Sequence, residues 1–257
     1  MTAIGLDRAF AYAVIDEAHC LSEWGHDFRT SYLNLANTIE KLAPDASYIG
    51  LTATASVNVL KDIQSEFDIS NDNVRTPLDY TREELSFHVF DDQGRKTDAL
   101  IQLVDKMEAK WNGSASAERG SKAGIIFTLT VNGDKGCYAL AGRLCNALGM
   151  DVRYFSGSEP KGAGLGGDAF DTYKREVQND FKINKYRLLT ATKAFGMGVN
   201  KGNIAYTVHY GIPGSMEALY QEAGRAGRNK RLFTVGPADC YVLLTKERKT
   251  DLLDKIW

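Results

Sequence analysis

No Gly-Lys dipeptide occurs anywhere in this 257-residue chain, although it holds 24 glycines. That excludes a GxxxxGK[ST] loop, whose backbone N–H groups and lysine grip the β- and γ-phosphates of a nucleotide. Cysteine is scarce as well. Cys20, Cys137, Cys145 and Cys240 lie far apart, with no CxxC pair. This argues against a zinc site and fits a reducing interior where the thiols are packing residues. No apolar run approaches the ~20 residues of a membrane-spanning helix, and no basic-then-apolar leader opens the chain. A surplus of one charge sign is missing too. The formal net charge is −2, so whole-molecule electrostatics do not advertise nucleic acid. Contacts of that kind must come from local patches such as Arg225, Arg228, Lys230 and Arg231, or Lys182, Lys185 and Arg187. A charge run is usually a solvated face, and these patches alone decide nothing.

What is present suffices for one large or two modest domains with real cores. Apolar content is 44% and charged content 25%, ordinary for a globular protein. Ala11–Ile15 and Tyr48–Leu51 read as short buried strands, with a helical stretch near Tyr32–Leu42 between them. Strand, helix, strand at that spacing is the grammar of a parallel sheet covered by helices. Val57–Phe67 carries Val59, Leu60, Ile63 and Phe67 at helical spacing. The pattern loosens around Arg75–Val89, with Pro77 and several charges, and the domain connection is expected there. A second block then predicts helices over Thr97–Trp111, Tyr138–Leu148, Phe170–Asn179 and Met216–Ala223. Between them it predicts strands at Gly124–Phe127, Val152–Phe155, Tyr186–Thr190, Ile204–His209 and Cys240–Leu244. Asn112–Lys122 reads as a polar loop, and Gly162–Gly167, with four glycines in six residues, as a surface insertion. The fold class is therefore α/β, with domains expected at 1–80 and 81–257.

Asp16-Glu17 follows the first apolar strand, so both carboxylates emerge at its carboxyl end, where open α/β sheets place ligands. Successive side chains diverge there. One carboxylate can face Mg²⁺, which needs few protein oxygens, while the other faces an attacking water. A surface turn reads equally well on these residues alone. The next segment, Cys20 to Arg29, sets Trp24, His26, Phe28 and Arg29 in a glycine-containing loop. Aromatics beside arginine suit stacking on unpaired bases, worth about 1–3 kcal/mol per base. Taken in isolation, Trp24 and Phe28 are more plainly core residues.

Together these segments resemble the RecQ family of superfamily 2 DNA helicases. Residues 14–29, VIDEAHCLSEWGHDFR, resemble motif II and the aromatic-rich loop, and Leu51-Thr52-Ala53-Thr54-Ala55 resembles motif III. Gly124-Ile125-Ile126-Phe127 resembles motif IV, residues 194–201 motif V, and residues 221–228, QEAGRAGR, motif VI. The motifs keep the family order and bracket nearly the whole chain.

The resemblance implies two RecA-like parallel-sheet domains, the first incomplete. It implies ATP and Mg²⁺ as cofactors and no zinc. It places Asp16, Glu17, His19, Gln221, Arg225 and Arg228 in catalysis, with Asp16 on Mg²⁺ and Arg228 as the arginine finger. Arg225 and Arg228, three apart on an expected helix, share a face and suit the charge spread over a transferring phosphoryl group. Thr52, Thr54, Gly196, Gly198, Asn200 and Lys201 fall to the nucleotide, since the glycines permit close backbone approach to a phosphate. Trp24, His26, Phe28, Arg29 and Thr192 fall to DNA.

The implied activity is ATP-dependent 3′→5′ unwinding of DNA at single-strand/duplex junctions, in DNA repair and recombination. The implied place is the bacterial cytoplasm and nucleoid, or the nucleus of a eukaryote, with no membrane partner. A non-catalytic nucleic-acid- or protein-binding module derived from a helicase is the alternative. An RNA helicase or unrelated translocase is disfavoured by the aromatic loop.

The departures from the family are specific. The P-loop, the base-reading Q motif and the first DNA-contact motif, which precede motif II in the family, have no counterpart here. Nor do the zinc-binding and winged-helix regions that usually follow. Phe155-Ser156-Gly157 stands where a His-containing motif is usual. The expectation is a fragment inactive on its own, needing an N-terminal P-loop portion of the same protein. With a sheet edge left bare, residues 1–75 are expected to be less stable than the rest.

Overall fold

The computed structural model describes residues 10–20, 34–52, 57–76, 81–113, 121–196, 199–233 and 236–245. The chain divides into two compact units, residues 1–80 and 81–257.

In the first unit β1 (Tyr12–Ile15) and β2 (Ser47–Gly50) pair in parallel, joined through α1 (Leu35–Leu42) and followed by α2 (Val57–Glu66). Alternation decides the faces. Ile15 on β1 buries with Ala18, Val59, Ile63 and Phe67. On the other face Tyr12 and Val14 remain 63% and 60% exposed, beside Ile49 and Leu51 at 39% and 51%. Parallel sheets are normally covered on both faces; among the described residues of this unit, one face is covered.

The second unit is a six-stranded sheet in the order β3-β8-β7-β4-β6-β5, every pairing parallel. Its strands are β3 (Leu85–Asp91), β4 (Ala123–Phe127), β5 (Val152–Phe155), β6 (Leu188–Ala191), β7 (Ile204–His209) and β8 (Ala238–Leu244). The helices are α3 (Lys96–Asn112), α4 (Cys137–Leu148), α5 (Gly167–Lys182) and α6 (Met216–Ala223). β4, β6 and β7 are buried at every position, which is why they read as unbroken apolar runs rather than alternating ones. Ile126, Tyr206 and Val208 pack with Leu100, Val104, Leu140 and Leu144 of α3 and α4 on one side. Ile125, Phe127 and Leu189 pack with Phe181 and Ala223 of α5 and α6 on the other. Burial raises the Cys137 and Cys240 thiols to about 11, so both behave as small apolar groups.

Local signals set the ends. α4 stops at Gly149, whose left-handed backbone (φ 62°) lets its N–H reach the Cys145 carbonyl at 3.0 Å. Ser215 caps α6 by accepting the Ala218 N–H at 3.1 Å. Gly124 is required by packing: a Cβ there would lie 2.1 Å from the Tyr206 ring.

The first unit's strands, expected to be buried, instead leave Tyr12, Val14, Ile49 and Leu51 exposed among the described residues, and the expected domain connection is shorter. Residues assigned to the connection, Leu85–Val89, belong to β3, which runs in register with β8 from Leu85↔Ala238 to Asp91↔Leu244. As an edge strand it keeps Phe87 and Val89 47% and 73% exposed. The preceding charges Arg82, Glu83 and Glu84 obscured the period-2 alternation of Leu85, Phe87 and Val89.

Candidate active and nucleic-acid sites

In the first unit the chain turns sharply where β1 ends. Glu17 adopts a left-handed backbone (φ 51°), rare for a side chain longer than Asn or Asp, and its N–H bonds Asp16 Oδ1 at 2.9 Å. The turn is tied to β2 by Leu51 N–H on the Ile15 carbonyl (2.8 Å) and Ala18 N–H on the Leu51 carbonyl (2.9 Å). Asp16 and Glu17 are exposed, while His19 is buried. His19 Nδ1 lies 3.0 Å from Thr52 Oγ1 and 3.3 Å from Glu17 Oε2. Acid, imidazole and hydroxyl thus form one connected group at the carboxyl ends of two parallel strands, the usual ligand edge of such sheets. Asp16 supplies hard, solvent-facing carboxylate oxygen of the kind Mg²⁺ takes, with water and phosphate oxygens completing its shell. Among the described residues no group of three or more His, Cys, Asp or Glu side chains gathers as a metal cage. Trp24, His26, Phe28, Arg29 and Thr54 lie outside the described residues.

In the second unit the candidates separate to opposite ends of the sheet. At the carboxyl ends of β4 and β6, Thr128 N–H bonds the Ala191 carbonyl (2.8 Å) and Thr192 N–H bonds the Phe155 carbonyl (3.1 Å). Lys193–Gly196 forms a single 3-10 turn immediately after. Gly198 lies outside the described residues.

The other group sits where β3, β7 and β8 begin, a strand length away at roughly 3.3 Å per residue. α6 ends at Ala223, with Gly224 N–H on the Tyr220 carbonyl at 2.8 Å. Arg225 and Arg228 therefore lie in the turn that follows, not on a helix. Gly227 explains why: its φ is +66°, its N–H bonds the Ile204 carbonyl at 3.1 Å, and a Cβ would lie 2.8 Å from the Glu84 carbonyl oxygen. Arg228 Nε donates to the Gly224 carbonyl (3.1 Å) and Nη1 to Asn200 Oδ1 (3.4 Å). The structure thus brings together Asn200 and Arg228, with half-buried Gln221 and Arg225 on the adjoining helix end and turn.

Lys201 goes elsewhere. Its ammonium donates to Asn184 Oδ1 and the Lys182 carbonyl above the Phe181 ring, and burial lowers its pKa to about 8.

Sequence reasoning missed four residues here. Arg82 Nη1 donates to the same Gly224 carbonyl at 3.3 Å, and its Nε lies 3.6 Å from Glu84 Oε2. Glu84 is held below the usual carboxylate range, first by its bond to Lys230. Burial, and then the charge of Arg82, lower the Arg228 pKa. His209, fully buried, sits 2.8 Å from Glu222 of α6. The detectable signal was a histidine closing an apolar run, and an arginine within the charge cluster 82–84.

The chain matches the family described as "Helicase conserved C-terminal domain" over residues 95–230. It is 35% identical over 217 residues to the RecQ-like DNA helicase blm-1 of Caenorhabditis elegans, covering 84% of this chain and 19% of that protein. It is 34% identical over 215 residues to the ATP-dependent DNA helicase RecQ of Bacillus subtilis, covering 84% of this chain and 32% of that one. The chain therefore spans about a third or less of these relatives. Among solved structures, Mycobacterium smegmatis helicase Lhr bound to ssDNA and AMP-PNP superposes with a TM-score of 0.61 at 19% identity, over 93% of this chain and 29% of that one. S. cerevisiae Dbp5 bound to RNA and ADP BeF3 superposes with a TM-score of 0.58 at 16% identity, over 95% and 55%. These likenesses establish the fold, the RecA-like α/β fold of helicase motors. The chain belongs to the helicases that carry the conserved C-terminal domain and, within them, to the RecQ family.

Proposed function

We propose that this chain forms part of an ATP-dependent DNA helicase of RecQ type, moving 3′→5′ along one strand. The observation that carries the reading is the turn closing β1, where His19 Nδ1 stands within 3.3 Å of Glu17 Oε2 and 3.0 Å of Thr52 Oγ1. A hydrolytic motor needs a carboxylate that orients water, and a hydrogen-bonded relay that registers what neighbouring residues do. Asp16 would hold Mg²⁺, which when bound neutralises charge on phosphate oxygens. Glu17 would orient and deprotonate the attacking water. His19 would fix the Glu17 carboxylate and pass its position to Thr52. Arg228, oriented by Asn200 and the Gly224 carbonyl, would meet charge developing on the transferred phosphoryl group. Thr192, at the other end of the second sheet, would donate its hydroxyl to a DNA phosphate backbone. The work would be done where duplex DNA is, in a nucleoid or a nucleus.

Because no GK[ST] loop is present, the chain by itself is expected to hydrolyse no more ATP with single-stranded DNA than its Glu17→Gln variant. The positive test is a hybrid in which the P-loop portion of the B. subtilis relative precedes this chain. DNA-stimulated hydrolysis and strand displacement are expected from it. Replacing Arg228 by Ala should lower turnover by about a thousandfold or more. A hybrid whose turnover ignores both Glu17→Gln and Arg228→Ala would overturn the reading.

A further inference from the structure

Arg82 and Arg228 converge on one acceptor. Both guanidiniums donate to the Gly224 carbonyl, at 3.3 Å and 3.1 Å, although they lie 146 residues apart in sequence (228 − 82). Two like charges held this close oppose each other, with Arg82 half-buried and Arg228 exposed. The arrangement is imposed by the backbone. Gly227 closes against the Glu84 carbonyl, and Ala238 N–H bonds that carbonyl at 2.8 Å. The start of β3 is thereby locked beneath the arginine turn.

The charge balance around the pair is positive. Arg82, Arg225, Arg228, Lys230 and Arg231 stand against Glu83 and Glu84. Glu84 divides its carboxylate between Arg82 and Lys230, while Glu222 is engaged by His209. Asn200 Oδ1 holds the outer face of Arg228. A solvated basic surface would leave each guanidinium free to point away from the other. Here both are hydrogen-bonded into position, and the fork geometry of arginine suits bidentate recognition of phosphate oxygens.

We propose that Arg82 and Arg228 form a paired clamp for a polyphosphate, with Arg82 a binding residue in its own right rather than part of a linker. The clamp rests on the functional reading above only for its natural ligand, the phosphate tail of ATP. Its existence can be tested with inorganic pyrophosphate, which needs nothing from the first unit.

The experiment titrates pyrophosphate into the ¹⁵N-labelled full chain and follows the amides of Gly224–Arg228, with melting temperature measured in parallel. Saturable shifts and a rising melting temperature are expected for the wild type. Arg82→Gln and Arg228→Gln should each weaken binding about tenfold or more, since hydrogen bonds to charged groups are the strong ones. Arg143→Gln, which removes a cation paired with Asp134 at the far end of α4, should bind as the wild type does. Without anion, Arg82→Gln should melt no lower than the wild type, because one of two opposed charges is gone while an N–H donor to Gly224 remains.

ATP and an oligothymidylate form the other arms. ATP should compete with pyrophosphate and the phosphodiester should not; a phosphodiester that competes would overturn the polyphosphate assignment. Equal affinity of wild type and Arg82→Gln, equal loss in Arg143→Gln, or no saturable binding by the wild type would each overturn the clamp. A failed clamp would leave the hybrid's Glu17 dependence standing, and the converse also holds.

Discussion

His209 Nδ1 stands 2.8 Å from Glu222 Oε2, joining the last residue of β7 to the helix that leads into the arginine turn. The imidazole is fully buried and stacks on Phe127, the last residue of β4, with ring centroids 5.5 Å apart. With Glu222 ionised, Nδ1 donates, and the Thr207 hydroxyl lies 3.4 Å from Nε2. The Glu222 carbonyl in turn accepts Arg225 N–H at 3.2 Å. Replacing His209 by Leu leaves a carboxylate at low exposure without its donor, which costs about 1–3 kcal/mol. His209→Asn, which retains a donor near the Nδ1 position, should recover part of that loss. Urea unfolding followed by tryptophan fluorescence would decide it; equal stability of the Leu and Asn variants would contradict the assignment.

Gly124 gives a sterically sharper prediction. An alanine methyl there would meet the Tyr206 ring at 2.1 Å, and Tyr206 cannot withdraw because its hydroxyl bonds Glu108 Oε1 at 2.8 Å. Gly124→Ala should destabilise by roughly 1–3 kcal/mol or more, as overpacked cores do. Adding Tyr206→Leu should recover stability relative to Gly124→Ala alone, a coupling that a double-mutant cycle measures.

Most of the fold was legible because the second sheet is buried on both faces. Val152–Phe155, Ile204–His209 and Met216–Ala223 have the same bounds in sequence and structure, since apolar runs and a serine cap mark them. β3 was hidden because edge position weakens its apolar pattern and charges adjoin it. The arginine turn was misread as helix because spacing alone does not show that Gly227 must leave helical geometry to meet Glu84. Asn200 and Arg228 were both named from motifs. Arg82 was not, because its significance depends on Gly224, a residue 142 positions away.

Lys201 predicts a pH dependence. Its folded-state pKa, about 8, lies below the ordinary 10.5 because burial disfavours the charged form. Between these values the unfolded chain binds more protons, so this group's contribution to stability rises with pH across that window. Below about pH 8 its burial penalty is present in full. Cys137 and Cys240, raised from 9.0 to about 11, act in the opposite direction over an overlapping window, so a difference measurement is needed. The gap in unfolding free energy between wild type and Lys201→Met should shift in favour of the wild type from pH 8 to pH 10. A gap that stays flat would show that the ammonium is not desolvated.

The naked face of β1 and β2 predicts where the isolated chain gives way first. Tyr12, Val14, Ile49 and Leu51 are all at least 39% exposed, and the buried cluster beneath them contains Ile15, Ala18, Val59, Ile63 and Phe67. The second unit buries every position of its central strands β4, β6 and β7. Local opening follows the density of buried apolar contacts, so limited proteolysis should cut within residues 1–75 well before it cuts within residues 90–245. The test is a time course with a nonspecific protease, read by intact-mass spectrometry, with hydrogen exchange of the β1 and β2 amides beside it. Equal protection of the two stretches would mean that the exposed face costs little, and that the first unit's small core is sufficient alone. Faster cutting in the first unit would show that its sheet needs a cover for stability, and adding the P-loop portion of the B. subtilis relative should then slow cleavage there while leaving residues 90–245 unchanged.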